Sequence, residues 1–201
     1  MTALIEQVLR TPIKALNWVE KYGGVVQPYT DKAKSPAQTY PIVAYNSDPA
    51  CSETDVYSPI TPNDAFKSVV YWEYNGGYAI DLRERSYIQG IERLRFVAWI
   101  NPKKQGVTPS YGLGSVYAVD FISQIAAING ATVSSIPVQV VTTRANVVQV
   151  DYNAIFGQWS YGDKQHLFLR PFEWFAIDFE FLVTVPNACA SLITLDDPIE
   201  C

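Results

Sequence analysis

The stretch that most limits what this chain can fold into is Pro171–Val185, which reads P-F-E-W-F-A-I-D-F-E-F-L-V-T-V. From Phe175 onward it alternates. Phe175, Ile177, Phe179, Phe181, Val183 and Val185 fall on one side, and Ala176, Asp178, Glu180, Leu182 and Thr184 on the other. Successive strand side chains point to opposite faces, so this pattern predicts a β-strand with one buried face. Eleven residues at ~3.3 Å each reach roughly 36 Å, about twice the length of a common strand. Such an element belongs at the centre of a sheet, or runs past the edge of its own subunit.

The rest of the chain predicts what surrounds that strand. Residues 2–22 read as two short helices in series. Leu4, Ile5, Val8 and Leu9 share a face of the first, and Thr11-Pro12 restarts the pattern as N-cap and first helical residue. Ile13, Leu16 and Trp18-Val19 follow, and Gly23-Gly24 supplies a stop. Residues 25–64 hold six of the 13 prolines, a density that opposes helix and central strand alike. Short extended pieces are expected there at Gly24–Tyr29 and Tyr40–Tyr45. The tyrosines argue against disorder, so the segment reads as an arm that packs on its own sheet or on a neighbouring subunit.

Val69–Tyr74, Asn75-Gly76-Gly77 and Tyr78–Leu82 predict a β-hairpin, because Asn-Gly supplies the positive φ angles of a tight turn. A third strand, Glu92–Asn101, puts Leu94, Phe96, Ala98 and Ile100 on one face and ends at Pro102. Ser115–Asn129 predicts a helix capped by Ser115, with Val119, Ile122, Ile125 and Ala126 inward. Ile136–Thr143 alternates as a strand. Asn146–Phe156 reads as helix, and Gln165–Leu169 leads into the long strand. The fold class is therefore α+β: a mainly antiparallel sheet with a hairpin and a long C-terminal strand, flanked by N-terminal and central helices, plus the Pro-rich arm. The chain is expected to be one domain over residues 1–201, comprising an N-terminal helical segment (1–24), the arm (25–64) and an α+β core (65–201).

Composition narrows the function classes. Charged residues are only 17% of the chain while tyrosines number 13 and tryptophans 5, which suits buried interface cores as well as a large protein core. Net charge is −5, and Arg83-Glu84-Arg85, Arg93-Leu94-Arg95 and Lys103-Lys104 are too short to grip nucleic-acid phosphates. No apolar run approaches the ~20 residues of a membrane span. The first residues carry Glu6 and Arg10 and show no secretory pattern, so Cys51, Cys189 and Cys201 are expected as free thiols in a cytoplasm.

No motif names a reaction. His166 is the only histidine and has no nucleophile elbow nearby. The three cysteines with His166 lack the close Cys-x₂₋₄-Cys pair of a zinc site, so no metal and no cofactor are expected. Gly112-x-Gly114 lacks the third glycine of a dinucleotide fingerprint. Asp178 and Glu180 share a strand face, and paired carboxylates there admit acid–base chemistry. The same i,i+2 spacing in Arg93 and Arg95 predicts instead that the four residues form cross-strand ion pairs.

The order of these elements resembles that of tail-terminator and tail-completion proteins of tailed bacteriophages. The residues that carry the resemblance are Val69–Leu82, Arg93–Asn101, Val116–Ile128 and Pro171–Val185, the last opened by Pro-Phe-x-x-Phe. The arm at 25–64 is larger than that family's usual plan. The resemblance implies a non-enzymatic virion protein, made in the host cytoplasm. It would form a hexameric or dodecameric ring at the neck or tail end, contact other neck or tail proteins, and surround an acidic lumen. Tyr29, Tyr40, Tyr45, Tyr57 and Trp159 are the expected subunit-interface residues, with no membrane and no specific nucleic-acid contact. The alternatives are a soluble ligand- or carbohydrate-binding module using exposed residues such as Trp72 or Trp159, and an enzyme built around Asp178 and Glu180.

Overall fold

The computed structural model describes residues 2–43, 58–76, 79–81, 86–108, 112–127, 132–133, 136–148, 152–161, 166–169 and 171–186. The long strand, β9 (Glu173–Pro186), is central to the sheet. On one edge it pairs along its whole length with β6 (Tyr87–Ile100), and on the other with β8 (Ile136–Val148). All six of the residues that alternate from Phe175 to Val185 are buried in a single core. Burying a side chain of this size contributes about 1.5–3 kcal/mol, so this one strand face is a major source of stability.

Outward from β6 come β4 (Ser68–Tyr74), β1 (Lys21–Asp31), β2 (Gln38–Val43) and β3 (Ser58–Pro59). Beyond β8 lies β7 (Thr132–Val133). β1 and β4 are parallel, and every other ladder is antiparallel. This is the α+β architecture expected.

Helices cover one face of the sheet. α1 (Thr2–Lys14) turns Ile5, Leu9 and Ile13 onto it, the one-turn α2 (Pro102–Gln105) follows β6, and α3 (Leu113–Ala127) adds Ala118, Phe121 and Ile125. Phe121 stacks on Phe96 at 3.8 Å between ring centroids, while Trp72 lies within 6.0 Å of Phe96, Phe179 and Phe181. The opposite face is covered over part of its area by α4 (Tyr152–Phe156) and the residues after it. Ile155, Phe156, Trp159, Tyr161, Leu167 and Phe168 close there over Val69, Tyr71, Val97 and Trp99. The Trp99 indole N–H donates to the Leu167 carbonyl at 2.7 Å and fastens this second layer.

Several local expectations are corrected. The N-terminal segment is one helix, with Pro12 inside it. Near the C-terminal end a proline forfeits one backbone bond, and the Ala15 N–H still donates to the Thr11 carbonyl at 3.1 Å. Gly23-Gly24 is no helix stop: it lies in β1, where Gly24 takes φ +62° at a register shift between Tyr22 and Val25. The extended piece expected at Gly24–Tyr29 lies within β1, and the described part of Tyr40–Tyr45 within β2, but β1 is an inner strand, paired on both edges.

The hairpin expected at Asn75-Gly76 does not form among the described residues. β4 and β5 (Ala79–Asp81) both lie antiparallel to β6, with Tyr74 opposite Leu94 and Ala79 opposite Ile91. Since β9 occupies the other edge of β6, β4 and β5 follow one another along a single edge, and Asn75-Gly76 belongs to an interruption between them. The Asn75 N–H donates to the Arg93 carbonyl and keeps the chain on β6. α3 keeps Ile122 and Ile125 toward the core as expected, but not the other two residues of that face. Val119 and Ala126 are exposed, because Phe121 takes the position against Phe96. Asn146–Val148 continue β8 opposite Ala176–Asp178, so among the described residues of the expected helix only Tyr152–Phe156 are helical. His166 begins a single short helical turn within the lead-in to the long strand.

Candidate functional site

Two surfaces hold the residues singled out from the sequence. The first is a polar row across the sheet, on the face covered by α4. The β6–β9 register sets Arg95 opposite Asp178 and Arg93 opposite Glu180. Arg95 donates through Nε to Asp178 Oδ1 at 2.6 Å and through Nη2 to Oδ2 at 3.1 Å, a two-pronged pair. Its Nη1 donates to the Ala154 carbonyl at 2.9 Å, tying α4 to the row. Arg93 Nε reaches Glu180 Oε2 at 3.1 Å. Asn75 adds a 2.9 Å bond from Nδ2 to Asp178 Oδ1. Both carboxylates are thus engaged by guanidinium groups.

A third carboxylate, Glu73 on β4, stands opposite Arg95 and completes the row Glu73–Arg95–Asp178 over three strands. Glu73 is buried and accepts the Trp159 indole N–H at 2.9 Å. Burial pushes its carboxyl from the ordinary 4.5 up to about 7. The Trp159 N–H, Arg95 and Gln158 pull the other way, and the Asp178 charge adds to the rise. Beside it the Tyr71 and Tyr161 hydroxyls meet at 3.4 Å, both raised chiefly by burial. A proton acceptor tuned near neutrality suits general acid–base work only where a substrate can reach it. Glu73 lies beneath Trp159, and its evident action is to hold the α4 layer on the sheet. Period two places Glu73 on the same side as Val69 and Tyr71, which was the available sign of its burial.

The second surface is the arm. The β1–β4 ladder ends at Val25 opposite Trp72, and β1 continues paired with β2 from Val26–Val43 to Asp31–Gln38. Residues 27–30 of β1 are exposed at every position, while their β2 partners Gln38, Thr39 and Tyr40 are half-buried and Pro41 is buried. Tyr29 and Tyr40 oppose each other with ring centroids 5.6 Å apart, and Tyr29 is 44% exposed. On the other face the Thr30 and Thr39 hydroxyls meet at 3.0 Å. The connecting turn exposes Lys32 and Lys34.

Of the five expected interface residues, Tyr29 and Tyr40 come together on the arm, and Tyr45 and Tyr57 lie outside the described residues. Trp159 is corrected. It is 8% exposed and is built into its own chain through Glu73, because its indole caps the second core. Trp72 is likewise buried. Cys51, Cys189 and Cys201 lie outside the described residues. Among the described residues no group of His, Cys, Asp or Glu side chains is arranged to hold a metal ion, and no helix is long and apolar enough to cross a membrane. No protein-family model and no curated protein matches the chain.

Proposed function

We propose that this protein is a structural subunit of a tailed-phage virion, of tail-terminator or neck type, which acts by assembling into a ring. The observation that carries the reading is the arm: a paired-strand extension, exposed at every residue from 27 to 30, that presents two adjacent tyrosines beside a body with cores on both sides of its sheet. A tyrosine combines large apolar area with a polar tip, which is why it is enriched at protein interfaces. The same body offers little for chemistry, since Asp178 and Glu180 are each held by an arginine. A carbohydrate platform on Trp72 or Trp159 has no exposed ring to use.

Light scattering coupled to gel filtration, with negative-stain imaging of the peak, tests the proposal. The expected result is a closed ring of six subunits or a multiple. A species that stays monomeric at high concentration, alone and with tail-tube or head-connector proteins, overturns it.

A further inference from the structure

The arm's backbone and side chains point to one way of using it. Pro28 stands opposite Pro41. Two residues without N–H groups can face each other only at a pair that exchanges no ladder bonds, so their missing donors fall on the arm's two outer edges. On the β2 edge, the Thr39 and Pro41 carbonyls already accept the Ser160 and Ile60 N–H groups. Edges blunted this way resist the addition of a further strand. What remains is a side-chain face, on which Tyr29 and Tyr40 lie side by side next to the Lys32/Lys34 turn.

A matching surface exists elsewhere on the chain. Val116 and Val119, one helical step apart on α3, are 64% and 66% exposed, and among the described large apolar side chains only Leu169 is as open. Asp120 adjoins them, and its carboxylate accepts the Trp18 indole N–H at 2.9 Å. Within one chain both surfaces are exposed, so neither covers the other. Charge favours a second copy as the occupant. In the β1–β2 ribbon, residues 26–43, the two lysines against Asp31 leave +1, so the remainder of a chain of net charge −5 carries −6. We infer that the arm of one copy lies across the Val116–Val119 face of α3 on a second copy, with its tyrosine rings on the valines and its lysines toward Asp120. The contact joins two different surfaces of one chain, the head-to-tail type that generates rings. It rests on the assembly reading above and specifies its interface.

Two double variants test it, Tyr29→Ser/Tyr40→Ser on the arm and Val116→Asp/Val119→Asp on the helix. Each alone is expected to sediment as a monomer where the wild type assembles, with a wild-type thermal melt. Mixed in equal amounts they should form a heterodimer and nothing larger, because one intact arm then meets one intact helix face. If either variant misfolds, Lys32→Glu/Lys34→Glu in the exposed turn replaces it, with self-association expected to weaken about tenfold or more. Wild-type assembly by either double variant, a mixture that stays monomeric, or unchanged affinity in the lysine variant overturns the inference while leaving the ring standing. A wild type that never associates overturns both.

Discussion

β9 and the outer half of β1 are both long paired strands, but their surroundings are opposite. β9 has a ladder on each edge, a continuous apolar core against one face and a partly covered polar row on the other. The outer half of β1 has one ladder, to β2, side chains exposed from residue 27 to 30, and Pro28 at its free edge. The contrast separates residues that hold the subunit together from residues available to another molecule. Mutations at the two places should therefore fail in different assays.

The largest expected effect is in the central strand. Phe179 packs against Trp72, Phe121 and Phe181, and Phe179→Ala should cost about 3–5 kcal/mol of unfolding free energy in urea titration. Tyr29→Ala on the arm should change the same quantity by less than about 0.5 kcal/mol while reducing self-association. A comparable loss at both positions would erase the distinction.

Glu73 sharpens the contrast through pH. Its carboxyl ionises near 4.5 when unfolded and near 7 when folded, so the native state holds the proton more tightly between those values. That contribution is fully present below pH 4.5 and is lost as pH rises through 7, about 3 kcal/mol in all. Glu73→Gln should flatten the decline, and its stability relative to wild type should improve from pH 4 to pH 8. A pH-independent difference would show that Glu73 is already ionised in the native state.

The smallest effects distinguish the two arginines. Arg95 has a side chain 20% exposed and a two-pronged partner, so Arg95→Ala should cost about 1–3 kcal/mol. Arg93 is 59% exposed, and Arg93→Ala should cost no more than about 1 kcal/mol. Denaturation at low and high salt checks both, with the Arg93 effect fading first.

Much of the sheet was legible because its signals are redundant. The uniform apolar face of β9 fixes which side turns inward, and the matched spacing of Arg93/Arg95 and Asp178/Glu180 anticipates the ion pairs between β6 and β9. Failures came where a local preference met a stronger tertiary partner. Asn75-Gly76 favours a turn, but β6 holds the chain on both sides of it. Valine and alanine positions on α3 are equally apolar in sequence, and only the Phe121–Phe96 stack decides which side faces the core. A glutamate within a strand suggests solvent, so Glu73 gave no sign of its partner Trp159. Prolines in 25–64 argued against a central strand and for short extended pieces only, yet β1 is an inner strand, and Pro28 and Pro41 sit where its ladder to β2 asks for no donor.

The β6–β9 ladder also governs when this protein can fold. It joins Tyr87 to Pro186 and Ile100 to Glu173, positions far apart along the chain, and β9 follows every other described element. Pairings across such separations form slowly, because a long loop must close before any contact rewards it. A nascent chain that has not yet emerged past residue 173 has no strand to bridge β6 and β8, so its aromatic faces wait unpaired on the ribosome. Completion of the sheet therefore waits on β9, and a chaperone that shields β6 and β8 until β9 emerges would raise the yield of native subunits.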